Sequence, residues 1–224
     1  PCRFAGNITF EKYRGELTVG GIAGRTDGSV NGCLNEGNIT VEVSENGGVS
    51  GGGITGDCNG KNIRITGCIN RGKLSGNSTS YKTEGISLAG IVGTNFSGST
   101  INNCLNEGEV NVRFSSSQTV YSPFSAAGIT TSNYGLVINS GNTGRIAVQS
   151  DMKATVGGIS SHNSGSIVNS YNIGAIACNG RKGQTFYNNG GGITGVFQYS
   201  TIGITPLIYG CYNSGTVSST GSEE

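Results

Sequence analysis

The chain has no Trp, one His, one Met and three Pro among 224 residues. Charged residues are 12%, about half of ordinary usage. Each shortage excludes something. A lone imidazole cannot form a catalytic triad without a second partner beside it. Scarce Pro excludes collagen, which needs Gly at every third position together with abundant Pro. Low charge and low Pro do not fit a disordered chain. Fourteen basic residues balance thirteen acidic ones for a net charge of +1. That balance gives no field for nucleic acid or for anionic membranes. No apolar run approaches the roughly 18 residues that span a bilayer, so no membrane insertion is expected. The first ten residues, PCRFAGNITF, lack the apolar stretch of a signal peptide.

What is abundant is Gly, 41 residues, with Asn, Ser, Thr, Ile and Val. This mixture suggests many short strands joined by tight turns. It is also periodic. One unit reads G-I-x-G, a polar turn, an aliphatic, two residues, Cys or Ser, x, Asn, x, Gly, x, aliphatic. Its Gly-Ile pairs begin at Gly21, Gly53, Gly90, Gly128, Gly158 and Gly192, at spacings of 32, 37, 38, 30 and 34 residues. The units fall near 18–41, 49–75, 86–112, 125–148, 155–177 and 189–218, with a partial copy at 1–9 and a tail at 219–224.

Three aliphatic ladders follow. The first is Ile22, Ile54, Ile91, Ile129, Ile159 and Ile193; the second is Val30, Ile65, Ile101, Val137, Ile167 and Ile208. The third is Ile8, Ile39, Leu74, Val110, Ile146, Ile176 and Val217. Three short strands per unit, stacked so that each ladder lines one inner face of a prism, predict an all-β parallel β-helix of about six rungs. Chain chirality makes right-handed coiling the default. A β-propeller is the alternative, but it needs four strands per blade. Gly at the corners accepts positive φ, and Asn is the next best residue there.

Asn35, Asn70, Asn106, Asn142, Asn172 and Asn213 recur two residues before the second Gly of each unit and predict a ladder of side-chain amides. Cys2, Cys33, Cys68, Cys104 and Cys211 share one repeat position, which Ser140 and Ser170 fill elsewhere. Stacked rungs lie about 4.8 Å apart, an arrangement poorly suited to disulfide geometry. Small buried thiols are therefore expected. Cys58 and Cys178 lie outside this column.

The string V-G-G-I-A-G at 19–24, followed by G-S-V-N-G-C-L-N-E-G-N-I, resembles the bacterial GLUG repeat. So do T-V-G-G-I-S-S-H-N-S-G-S-I-V-N-S-Y-N-I-G-A-I at 155–176 and G-C-Y-N-S-G-T-V at 210–217. The resemblance implies a secreted or surface-anchored bacterial protein of adhesin type, extracellular. It extends to the non-catalytic parts of immunoglobulin A proteases. The zinc-binding H-E-x-x-H of those proteases is absent here. Separately, no polar capping element is evident at either end, and a fragment with further domains flanking it is expected. The fourth unit departs from the pattern at Ser140, and the sixth carries extra residues near 198–206.

No reaction chemistry stands out. His162 reads as a turn residue, at the place where other copies carry Asp27, Asn95 or Asn133. Asp27 and Asp57 read as neighbours in successive turns, at most a weak cation edge. Glycoside hydrolysis needs a carboxylate pair, so a polysaccharide-processing enzyme is a distant alternative. G-G-G-I-T-G at 51–56 lacks the Lys of a phosphate loop, and no metal or cofactor is expected. The connections at 10–17, 42–48, 76–84, 113–125, 149–154 and 178–189 vary in length and should leave the coil at one edge. They carry Tyr13, Tyr81, Tyr121 and Tyr187, flanked by Lys12, Arg14, Lys82, Arg181 and Lys182. Loops on a rigid scaffold are common binding sites, and a Tyr ring suits recognition. The expectation is a non-enzymatic module that binds a host glycan or extracellular protein through Tyr13, Arg14, Tyr81, Lys82, Tyr121, Arg181, Lys182 and Tyr187. The alternative is a passive stalk presenting another domain.

Overall fold

The computed structural model describes residues 1–60, 62–116, 122–181, 188–198 and 205–222; the side chains of residues 12–14, 45, 181, 221 and 222 also lie outside that description. Among the described residues every strand pairing is parallel, with the equivalent strand of the turn before or after. One turn contains Thr55–Cys58, Arg64–Thr66, Ile69–Asn70, Leu74–Ser78 and Gly85–Ala89. The first three enter separate sheets of six, six and seven strands; the last two enter a shared fourth sheet. Six stacked strands put five complete turns between first and last. A propeller would gather consecutive strands into one blade. Here consecutive strands do not pair with each other but with their equivalents one turn away, so the chain is a β-solenoid.

Each turn has five strands, not three. The extra two are the short strand at the Cys/Asn corner, Ile69–Asn70, and the returning strand, Gly85–Ala89; the third-ladder strand also runs on into what the sequence presents as connection. Val41, Val43 and Val49 lie within the single strand Ile39–Gly52, and Phe114 and Phe124 end and begin strands. All five are buried. Their apolar residues alternate with polar ones, the period of a half-buried strand.

These strands also divide the interior in two. The first and second ladders pack with Cys33, Cys68 and Cys104 in one core. The third ladder instead packs in a separate core that also holds Ile86, Leu88, Phe124 and Ala126 of the returning strands. The Phe114 and Phe124 rings stack at 4.2 Å. The cross-section is thus a body and a two-layered wing, and Cys178, in register with Val148, belongs to the wing core.

A column of asparagines stands where body meets wing. Asn35 Nδ2 donates to Asn70 Oδ1 at 2.6 Å, and the chain of bonds continues through Asn106, Asn142 and Asn172 to Asn213. Each amide from Asn70 onward also donates to the carbonyl of the Gly two residues later. Asn35 to Asn172 are fully buried. Such groups hold the fold only because every partner is present. A second column runs Asn95, Asn133, Asn163.

Glycine recurs for two different reasons. The residue just before the Cys/Ser column takes positive φ in every turn: Gly32, Gly67, Asn103, Asn139, Asn169 and Gly210, at 47–64°. Gly and Asn tolerate that region. At the second Gly of the unit φ is ordinary, and the constraint is contact. A Cβ on Gly72 would fall on the Gly37 carbonyl oxygen of the preceding turn.

The seven cysteines are free. In their column the thiols of Cys68 and Cys104 donate to the carbonyls of Thr66 and Asn102, as the hydroxyls of Ser140 and Ser170 do to Ile138 and Val168. Outside, Arg3, Glu36, Arg71 and Glu107 alternate in one row of ion pairs, and Lys73, Glu109 and Arg145 in another. These exposed pairs each contribute little, about 0–1 kcal/mol.

Candidate functional site

The connection edge leaves the wing tip as expected, but few of its aromatic residues are described. Tyr121, Tyr187 and Lys182 lie outside the described residues, as do the side chains of Tyr13, Arg14 and Arg181. The backbone of Tyr13 pairs with Val43, and Arg181 ends the strand Ile176–Arg181. Tyr81 and Lys82 are described. Tyr81 is 46% exposed, and the Lys82 ammonium stands 5.6 Å from its ring centroid, a cation–π contact.

The loop carrying this pair is held by short-range hydroxyl bonds. Ser78 Oγ accepts from Ser80 N, and Ser80 Oγ accepts from Lys82 N. Thr83 Oγ1 donates to Gly47 O on the neighbouring turn at 3.0 Å. Below the loop, the outgoing strands align Glu42, Asn77, Arg113 and Gln149 in register. Two open clefts of about 320 and 340 Å3 line this row and share Asn77, Ser78 and Thr79. The connection edge is therefore a polar surface with one exposed aromatic–cation pair.

The opposite face of the wing, formed by the returning strands, holds features that the expected binding residues omit. Thr18, Ser50, Ser87, Ser125 and Thr155 are stacked in register. Each lies three residues before the Gly of a Gly-Ile pair, a periodicity present in the sequence but masked by the apolar ladders. Beside them the next strands align Arg25, Asp57, Thr94, Ser132 and His162. This register corrects two expectations. His162 matches Ser132, while Asn163 matches Asn133 in the buried amide column. Asp57 faces Arg25 rather than Asp27, so the two aspartates are not neighbours in the stack. Burial lowers the His162 pKa first, and the nearby Lys153 charge adds to it, so the ring is neutral at pH 7.

Glu16 and Glu84 meet at this face across Gly48, which stands on the turn between theirs. A hydrogen bond from Glu84, then burial, raises the Glu16 carboxyl above its usual range. A directly bonded pair leaves no room for a sugar between the acids, which in glycosidases stand about 5–9.5 Å apart. Among the described residues no three His, Cys, Asp or Glu side chains cluster to hold a metal ion.

Comparison with protein-family models, with curated proteins and with solved structures finds no match.

Proposed function

We propose that the chain is a non-enzymatic ligand-binding module of an extracellular, surface-attached bacterial protein, of adhesin type, and that its connection edge takes a host glycan or protein. The observation that carries this reading is the exposed Tyr81–Lys82 pair, held on a bonded loop above a row of uncommitted polar side chains. A flat ring with an adjacent cation offers both an apolar face and a charge to a ligand. The resemblance to GLUG repeats supports the cell-surface setting. A stalk role has one observation in its favour, the unbroken amide column from Asn35 to Asn213, which suits a stiff spacer.

The test is binding of the purified chain to an array of glycans and matrix proteins, with Tyr81→Ala beside it. Specific binding that Tyr81→Ala weakens is expected. Absence of any binding, or binding indifferent to Tyr81, contradicts the assignment.

A further inference from the structure

A cleft of about 350 Å3 lies on the returning face of the wing, between the hydroxyl column and the His162 row. Ser87, Ser125 and Ser132 present hydroxyls to it, and Lys153, His162 and Gln198 add an ammonium, an imidazole and an amide. Among the described residues, none of these six polar groups is hydrogen-bonded within the chain. Ser125 is the telling case. The residue is 2% exposed, it lines the cleft, and its hydroxyl, which keeps some access to solvent, has no protein partner. Buried polar groups normally find one. Most buried hydroxyls in the fold do, as Thr131 and Ser161 do by donating to Gly93 O and Ala126 O, although Thr155 in the same column and Ser164 are unbonded like Ser125. Tyr134 closes one side of the cleft, its ring stacked 6.4 Å from that of Phe96.

We propose that this cleft binds an oligosaccharide carrying one carboxylated sugar. The proposal rests on reading the chain as a binding module, but on a face and residues separate from the connection edge. Convergent donors and acceptors that outweigh the apolar lining of Pro123 and Tyr134 suit a polyol. The hydroxyl rows repeat about every 4.8 Å along the axis, the scale of a sugar ring, so adjacent rings can meet successive turns. The Tyr134–Phe96 pair offers an aromatic surface for the C–H side of a ring. Charge sets the direction. Among the described residues Lys153 is the one formally charged side chain lining this cleft, whereas Glu16 and Glu84 line the adjoining one, which shares Ser87, Pro123 and Ser132 with it. A carboxylate is drawn to the Lys153 end and repelled from the other. A uniformly anionic polymer fits badly, and a glycan with a single acid sugar fits well.

The probes are 3′-sialyllactose and lactose, titrated into isotopically labelled protein and followed by amide chemical shifts. Saturable shifts at Ser125, Tyr134 and His162 are expected with 3′-sialyllactose, with much weaker affinity for lactose. Lys153→Gln should weaken the acid sugar about tenfold and leave lactose unchanged, as loss of one charge-assisted hydrogen bond does. Ser125→Ala should weaken both sugars. If that buried change disturbs the native spectrum, the exposed Gln198→Ala serves instead. Tyr81→Ala should have no effect here, which separates this cleft from the connection edge. No shift at millimolar sugar, equal affinity for the two sugars, or the same shifts from an acidic peptide would each overturn the proposal.

Discussion

The side chain of Asn106 occupies the space that a Cβ on Gly90 would need. A Cβ there would fall on the Asn106 carboxamide and on the carbonyl oxygen of Gly128. The same relation joins Asn70 to Gly53, Asn142 to Gly128 and Asn172 to Gly158. The G-I motif and the x-N-x-G motif are therefore two halves of one contact, far apart in each unit and closed by the turn. The contact holds the wing against the body. Both faces of the wing, and so both candidate binding surfaces, depend on it.

Gly90→Ala should accordingly cost about 3 kcal/mol or more, because neither the carbonyl nor the bonded amide can move aside. Gly28→Ala is the control. Nothing lies within 4 Å of a Cβ there, and its stability should stay within about 0.5 kcal/mol of the parent. Urea denaturation of the two variants measures the difference.

The second amide column has a defect. Asn95 Oδ1 is buried without a partner, because the turn before places Cys58 in register with Asn95 where an amide donor would stand. Cys58→Asn should supply that donor and raise stability by about 1 kcal/mol relative to Cys58→Ala. Equal melting of the two variants would show that the orphan oxygen is satisfied some other way.

Thiol chemistry should split the cysteines. Cys33, Cys58, Cys68, Cys104 and Cys178 are buried, while Cys2 is exposed and Cys211 partly so. Burial also raises the Cys178 thiol to about 11 and the Cys58 thiol above its usual range. In native protein a thiol reagent should label Cys2 and then Cys211, reaching the other five only as the chain unfolds. Cys68→Ser should fold with a loss of about 1 kcal/mol or less, its hydroxyl bonding to Thr66 O as that of Ser140 does to Ile138 O.

His162 makes stability pH-dependent. Its folded pKa lies below the ordinary 6.5, so the unfolded chain takes up the proton first as pH falls. The contribution is intact above about pH 6.5 and is lost as pH drops from there through the folded value. His162→Gln should flatten this slope in denaturant melts between neutral and mildly acidic pH. An unchanged slope would place the titrating group elsewhere.

The sequence displays the stacking because stacking needs identical neighbours. Ile54, Ile65, Leu74 and Asn70 meet their own kind in the next turn, so their periods survive in the letters. The division into two cores does not show in this way. It depends on outgoing-strand residues such as Leu74 sharing a core with returning-strand residues such as Ile86, unlike positions whose spacing varies with the connection. For the same reason Cys178 and Cys58 resist assignment from sequence, since each substitutes for a different residue type, Val148 and Asn95, in its column. The His162 row was legible: Arg25, Asp57, Thr94, Ser132 and His162 each stand four residues after the Gly of a Gly-Ile pair, whereas Asn95 and Asn133 stand five after it and Asp27 six. The hydroxyl column at Ser50, Ser87 and Ser125 was legible, as a constant distance to the Gly-Ile pair. The cleft it lines was not, because Lys153 reaches it from a connection of variable length.

The most direct test of the Asn–Gly contact compares Asn106→Ala, Asn106→Asp and Asn213→Ala by denaturation. Asn106 donates to Asn142 Oδ1 and Gly108 O and accepts from Asn70 Nδ2. Removing it should cost about 2–4 kcal/mol, since buried partners are left unpaired. Asp at the same place keeps the shape but loses both donors and buries a charge, so it should be worse than Ala. Asn213, exposed at the last turn, should matter far less. Should Asn106→Asp instead match the parent, or Asn213→Ala prove as damaging as Asn106→Ala, the amide column does not hold body and wing together.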